Sequence, residues 1–347
     1  MIQFYNSIID QCIVHYVGNK SIDEEVKLSK SIVSESGEIN LVLTNYFLKS
    51  FLQKEDFYHF YHISDISLNE VFSYISSIFS TAENFKKESI NLAKHLYEQS
   101  THPKIKGGEF YVVYFKDCIV DGDTVDAVGL FKSENKDTFL KVYTKGDGFE
   151  IESQKGININ KLDKGCLIFN KEKENGYVVA VVDNTNKGAE AKYWTDDFLH
   201  VKPRNDAYNQ TKDILSMAKN FVLHELPQHF EVSKVDQVDL LNKSVEYFKK
   251  NESFNMNGFA HEVIEQKDLI EKFVQYKSDY EHAMEMSLVE NFEISEAAVK
   301  KQAKSIKSVI KLDKNFHIYV HGSQNLIEQG VEEDGRKYYK IYYREES

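Results

Sequence analysis

Residues 300–314 carry a cluster of lysines that is interrupted by a single acidic residue, Asp313. Its members are Lys300, Lys301, Lys304, Lys307, Lys311 and Lys314. A lysine ammonium binds phosphate as a mobile point charge, so the pattern is typical of a surface that contacts the backbone of nucleic acid. A solvated helix face explains the same lysines without any ligand, and composition alone favours that simpler explanation.

Two local structures fit this segment. A helix continuing from Ser295 would gather Lys300, Lys304, Lys307, Lys311 and Lys314 into one stripe, opposite the apolar positions Val299, Ala303, Ile306 and Ile310. Alternatively, 309–312 and 316–320 form a pair of strands. The lysines stay clustered in both structures.

A second group of residues has the types that metal-dependent nucleases use. Asp121, Asp123 and Asp126 lie near the end of a predicted strand, and Glu134 and Lys136 follow. In such a nuclease the carboxylates hold Mg²⁺ and the lysine stabilises developing charge. Here Glu134 and Lys136 fall in a predicted turn, so a solvated hairpin loop is favoured over a metal site. We predict no metal ligands and no catalytic residues.

Cysteines and histidines give no complete metal set. The pairs Cys12 with His15, and His59 with His62, have spacings that zinc ligands use, but neither has a second pair to complete a tetrahedron. The three cysteines, Cys12, Cys118 and Cys166, lie in apolar runs and are predicted to be reduced thiols of the core. The sequence also lacks the usual nucleophile, phosphate-loop, zinc-protease and dinucleotide motifs. We therefore expect neither a cofactor nor an enzyme.

Composition limits the class of protein. The chain has 347 residues, 41% of them hydrophobic, and a formal charge of −12. No apolar run approaches the roughly 18 to 20 residues of a membrane span, so a cytoplasmic protein without membrane contact is expected. Only Arg204, Arg336 and Arg344 are arginines, and arginine is the residue that reads guanine edges in a bidentate way. Any nucleic-acid binding is therefore expected to be directed at phosphates.

The centre of the chain predicts a sheet. Gly107 and Gly108 precede three short runs rich in Val, Phe and Tyr, separated by turn residues, and a further hairpin follows. These runs are 110–115, 127–131, 139–143, 166–169 and 177–182. The first two are apolar nearly throughout, which indicates strands covered on both faces. Short connections predict antiparallel pairing, so the expected class is α+β, a mainly antiparallel sheet flanked by helices.

Helical periodicity surrounds this sheet. Apolar residues recur at three- and four-residue steps over 39–51, 68–79 and 85–97, and again over 207–222, 238–248 and 269–284. Ser67 to Glu70 has the form of a capping box, and Asn205 or Asp206 is placed to cap the first helix of the second half. Strands are expected again at 316–321 and 338–343. We predict an α+β domain over 1–203 and a mainly helical domain over 204–347 that ends in a pair of strands.

The order of these elements resembles the bacterial nucleoid-associated protein family of the NdpA type. The resemblance spans most of the chain and is best at three passages: Lys106 to Phe115, continuing to the strand at 127–131; Tyr193-Trp194 through Phe198-Leu199 to the helix at Asp206; and Ser308 to Tyr343. It implies a non-enzymatic, cytoplasmic protein associated with DNA of the bacterial chromosome. It implies no catalytic residues.

Together these observations predict a nucleoid-associated protein that binds double-stranded DNA non-specifically through the lysines at 300–314, as a homodimer that brings two such patches together. Because the chain is acidic and poor in arginine, an alternative is a scaffold that recruits a DNA-associated protein without touching DNA. A weaker alternative is a divalent-metal phosphodiesterase using Asp121, Asp123, Asp126 and Glu134.

Overall fold

The structure is a computed structural model that describes residues 2–33, 37–185, 192–284, 286–306, 309–313, 315–320 and 326–345. It divides into two compact units, Met1–Arg204 and Asn205–Ser347. The architecture is α+β as predicted: a large antiparallel sheet with flanking helices comes first, and a helical region with carboxyl-terminal strands follows. Within the described chain, no helix combines the length and apolarity needed to cross a membrane.

The first unit contains most of the strands. They are β1 (Ile2–Gln3), β2 (Ile8–Val17), β3 (Val26–Lys27), β4 (Tyr58–Phe60), β5 (Gly108–Val120), β6 (Asp123–Ser133), β7 (Asp137–Lys145), β8 (Gly148–Gly156), β9 (Lys164–Phe169), β10 (Val178–Asp183) and β11 (Val201–Pro203). The main sheet has the order β11-β4-β10-β9-β6-β5-β2-β3, with β1 paired to β5. Its pairings are antiparallel.

The turn between β5 and β6 follows from its residues. Asp121 and Gly122 have φ of 50° and 84°, and they connect Val120 directly to its partner Asp123. Two central residues with positive φ match the right-handed twist of the strands they join, and glycine adopts that conformation without strain. The predicted turn is thus confirmed, although β5 continues beyond Phe115 through an irregularity before Cys118.

Both faces of the central strands are buried, as predicted. The helices α1 (Gly37–Leu48), α2 (Glu70–Ser80) and α3 (Phe85–Gln99) belong to this unit, with a π-helical segment at Tyr193–Leu199. α2, α3 and the π-helical segment supply apolar residues to the core on one face of the sheet, and α1 supplies them on the other. The three helices are confirmed, but α2 is capped by Asn69, whose side chain accepts from the Phe72 amide, and not by Ser67.

The second unit is mainly helical. Its elements are α4 (Ala207–Asn220), α5 (Leu226–His229), α6 (Lys234–Lys250), β12 (Ser253–Asn255), α7 (Met256–Phe259), α8 (Lys267–Ala283), β13 (Asn291–Glu293), α9 (Glu296–Ser305), β14 (Val309–Leu312), β15 (Phe316–Tyr319), β16 (Ile327–Val331) and β17 (Lys337–Ile341). Asp206 caps α4 as expected. Pro227 does not end the helical path, because it lies in the first turn of α5, where its missing N–H costs nothing.

The strands at the carboxyl end pair differently from the expectation. β15 pairs with β14, and β17 pairs with β16, so two hairpins replace the single predicted pair. The turn at Asp334-Gly335 therefore connects β16 to β17 and does not involve β15. The alternative pairing of 309–312 with 316–320 is thus confirmed. Of these four strands only β16 was missed, because Ile327–Val331 has β-branched residues at its two ends alone.

Candidate nucleic-acid interface

The lysine cluster begins on α9, and the local sequence explains this helix. Ser295 is its N-cap, with a side chain that accepts a hydrogen bond from the Ala298 amide. Ala298 and Val299 are buried on the inner side of the helix, where α9 packs against α4 and α6. The apolar side thus fixes which positions face outward.

Three of the predicted lysines lie on the outer side of α9. Lys300, Lys301 and Lys304 are exposed. The ammonium of Lys301 lies 5.5 Å from the centre of the Tyr208 ring, which holds it near α4. The lysines occupy the carboxyl-terminal half of the helix, where positive charge also interacts favourably with the helix dipole.

The cluster continues on a strand. α9 ends at Ser305, and Lys311 is an exposed residue of β14, so the single helical stripe is wrong and the alternative strand pair is confirmed. Lys307 and Lys314 lie outside the described residues. Residues 300–314 carry six lysines and one aspartate, a net charge of +5 in a chain of −12. Since screening limits distant acidic groups to about 8–10 Å, this segment can attract an anion locally.

Two residues beside Lys311 were not identified from the sequence. His317 is paired with Lys311 across the β14–β15 hairpin, and Tyr319 lies on the same outer face with 62% of its surface exposed. Ile310 and Ile318 point to the opposite, inner face and contact the core near α6. The alternation of apolar and polar residues along 316–319 is the signal that would have assigned His317 and Tyr319 to the lysine side.

The lysines of α9 differ from several other helical lysines of this unit. Lys243, Lys272 and Lys277 each lie within 3.3 Å of a carboxylate oxygen, and Lys249 lies 2.7 Å from Glu246. A helix face built only for stability commonly uses such pairs. Lys300 and Lys304, by contrast, are in no ion pair with a carboxylate of the described residues. Their charge is therefore available to a ligand.

The four carboxylates considered for a divalent-metal phosphodiesterase do not form one site. Asp121 pairs with Arg204 at 2.7 Å, Asp123 pairs with Lys171 at 2.7 Å, and Asp126 accepts a hydrogen bond from Tyr114 at 2.7 Å. Glu134 follows the far end of β6, about 26 Å from Asp126 at the usual rise of a strand. Across the described ranges, no group of three or more His, Cys, Asp or Glu is placed to hold a metal ion.

Glu134 belongs to a buried charge cluster instead. Its oxygens lie 3.2 Å from the ammonium of Lys132 on β6 and 3.2 Å from that of Lys164 on β9, two neighbouring residues of the sheet whose side chains are fully buried. Tyr193 donates to Glu134 at 2.7 Å, and Lys164 also pairs with Asp183 at 3.2 Å. Burial lowers the pKa of Lys132, and burial together with Glu134 raises the pKa of Tyr193 well above its ordinary value. The carboxylates of Glu134 and Asp183 balance the positive charge of the two buried lysines, as a buried network that stabilises the fold requires.

The first of the candidate zinc pairs, Cys12 and His15, is separated by the sheet. Cys12 and His15 lie on β2 with odd spacing, so their side chains point to opposite faces of the sheet. Cys12 packs in the core under α1, whereas His15 lies 3.1 Å from the Ser89 hydroxyl of α3. His59 is paired with Glu172 at 2.8 Å. The three cysteines are buried and reduced, as predicted.

Comparison with known proteins identifies a family whose model matches most of the chain. The model of a family described as "Nucleoid-associated protein YejK" matches residues 13–336, which covers both units and the described lysines of α9 and β14. No curated protein matches the chain.

Proposed function

Because this chain belongs to the family of nucleoid-associated proteins, we propose that it binds double-stranded DNA of the bacterial nucleoid in the cytoplasm, non-specifically and without catalysis. Lys300, Lys301, Lys304 and Lys311 contact phosphates in this proposal, with Lys307 and Lys314 as further members of the same cluster. The observation that carries it is the group of exposed lysines on α9, continued by Lys311 on β14, in a segment whose net charge is +5.

The spacing of these lysines suits a DNA backbone. Lys300 and Lys304 are four residues apart, so they lie on one side of α9 with Cβ atoms about 6 Å from each other. Phosphates of one strand follow each other every 3.4 Å or so along the duplex axis, and long side chains cover the difference. Binding of this kind reads no base edges, which agrees with a lysine-rich surface that is poor in arginine.

The test is a salt series. Affinity for a random-sequence duplex is followed by fluorescence anisotropy from low salt upward, and the logarithm of the association constant should fall linearly with that of the salt concentration, by about 0.9 per phosphate contact. In Lys300→Gln/Lys304→Gln the slope should be shallower by about 1.8 and affinity at low salt should decrease.

The matched control removes the same charge from another helix. Lys249→Gln/Lys250→Gln changes two lysines of the last turn of α6, and it should leave the slope as in the unmodified protein. Equal slopes in all three proteins would show that α9 does not bind DNA.

The acidic character of the chain supports a second candidate, a scaffold that recruits a DNA-associated protein without direct contact to DNA. It predicts no binding to the duplex even at low salt, together with a protein partner that co-purifies after nuclease treatment. A partner that is lost on nuclease treatment, combined with direct duplex binding, would contradict the scaffold.

A further inference from the structure

The β7–β8 hairpin of the first unit forms a separate two-stranded sheet beside the main one. Its base is fixed by Asp163, whose side chain accepts hydrogen bonds from the amides of Glu134 and Asn135 at 2.7 and 2.8 Å, and by a 2.8 Å bond from Asn158 to Asp137. Its strands have nine residues each, and nine residues extend about 30 Å. The hairpin is thus a long arm with an anchored base.

The two faces of this arm differ in chemistry. The antiparallel register places four large apolar residues on one face, with 57% to 76% of their surface exposed: Leu140, Val142, Phe149 and Ile151. The opposite face carries the charged pairs, with Lys141 lying 3.8 Å from Glu152, and Tyr143 and Lys145 bonded to Glu150. The arm therefore has an apolar face without cover in the described chain.

An exposed face of this kind needs a partner. It amounts to roughly 400 Å² of contiguous apolar surface, the size at which such patches on soluble proteins mark interaction sites. A lone two-stranded hairpin is at best marginally stable in water, and covering the apolar face would stabilise it. Residues 137–156 contain three lysines and four acidic residues, so the arm has a net charge of only −1 in a chain of −12. A second copy would meet little repulsion there.

The same unit also has an open apolar groove of about 840 Å³. It lies between the first strand, α1 and the segment that follows the arm, and Tyr5, Val42, Leu52 and Ile159 line it with 43% to 84% of their surface exposed. Its lining contains one charged residue, Lys49, and no carboxylate. In a chain with 55 acidic residues, the groove and the apolar face of the arm are matched in chemistry.

We propose that two copies of this chain form a dimer by exchanging arms, so that the apolar face of each β7–β8 hairpin lies in the groove of the other copy. Area decides between this arrangement and the packing of two arms on each other. Two arms packed on each other would bury roughly 800 Å² in total, which is the size of adventitious crystal-type contacts. In the exchanged dimer, each of the two grooves adds roughly 200 Å², and the total of about 1,200 Å² reaches the size at which specific interfaces begin. The exchange is reciprocal, as a two-fold interface requires. It gives a structure to the homodimer expected from the sequence. Its test measures mass and not DNA binding, so this proposal and the proposed function can fail separately.

The test measures the mass of the full chain by sedimentation equilibrium over a concentration series. The unmodified protein should approach twice 40.3 kDa. Ile151→Glu on the arm and Leu52→Glu in the groove should each weaken the dimer at least tenfold. Gln154→Glu, on the charged face of the arm, and Leu41→Glu, on α1 outside the groove lining, add the same charge and should change it less than twofold.

Mixing the two weakened variants makes the test specific to arm exchange. In a mixed dimer, the intact arm of Leu52→Glu meets the intact groove of Ile151→Glu, so one of the two contacts survives. The mixture should therefore associate more tightly than either variant alone. A monomeric unmodified protein, or a Leu52→Glu variant that dimerises normally because arms pack on arms, would overturn the proposal.

Discussion

Glu134 is the carboxylate on which the buried charges of the first unit converge. It contacts Lys132 and Lys164, whose side chains are fully buried, and it accepts the hydrogen bond of Tyr193. Removing one partner from a buried pair leaves an uncompensated charge without water, which costs far more than the pair contributes. The cost falls mainly on Lys132, because Lys164 keeps its 3.2 Å pair with Asp183.

We therefore expect Glu134→Ala to lower the free energy of unfolding of the first unit by about 3–5 kcal/mol. The single tryptophan, Trp194, is fully buried in this unit, so its fluorescence during urea unfolding reports the change. The control is Glu98→Ala, which breaks an ion pair with Lys20 whose side chains are 58% and 43% exposed, and it should cost about 1 kcal/mol or less. Equal losses in the two variants would show that the cluster is not a linked network.

At this scale the sequence identified residue types but not partners. The lysines of 300–314 were visible because they are neighbours in the chain, and the exposure of Lys300, Lys301, Lys304 and Lys311 follows from the apolar positions between them. The cluster of Glu134 was invisible, since its members come from separate strands and a helix. Long-range pairing has no signature in local spacing.

Gly108, the first residue of β5, acts at the scale of the element. A Cβ on Gly108 would lie 2.0 Å from the carbonyl oxygen of Ser133 on β6, a backbone atom that cannot turn away. Gly108→Ala should therefore force the ends of β5 and β6 apart and lower the free energy of unfolding by about 1–3 kcal/mol or more.

Gly148→Ala is the matched control for this strand effect. It also lies at the start of a strand, but its nearest neighbour would be the Lys145 carbonyl oxygen at 3.9 Å, so it should change stability by less than about 0.5 kcal/mol. Both variants are compared by the Trp194 transition in urea. A tolerated Gly108→Ala would mean that the β5–β6 pair opens at this end without cost.

Elements were predictable where the pattern was strong and local. α1, α3, α6 and α8 follow their apolar periodicity, and the β9–β10 hairpin follows its two apolar runs. β8 was missed, because Phe149 and Ile151 alternate with polar residues in a segment without a strong apolar run. The boundary between α9 and β14 was left open, since helix and strand patterns both fit the lysines there.

For the whole molecule, we propose that the two compact units are domains that fold independently and divide the work. DNA binding is assigned to the lysines of α9 and β14, which belong to 205–347, and dimerisation is assigned to the arm and groove, which belong to 1–204. Each unit has its own apolar core, which is the condition for folding alone.

Separate expression of the two segments tests this division. The fragment 205–347 should unfold cooperatively and keep a duplex affinity that falls with salt, although more weakly than a dimer that presents two lysine surfaces to one duplex. The fragment 1–204 should dimerise as the full chain does and bind no duplex. If circular dichroism shows that 205–347 folds but it does not bind the duplex, the lysines of α9 are insufficient for DNA binding. If 1–204 binds the duplex instead, DNA contact belongs to the unit that contains the main sheet. If both fragments fold and show these separate activities, then DNA binding resides in 205–347. Residues 1–204 then strengthen that binding by bringing two copies of the DNA-binding surface together.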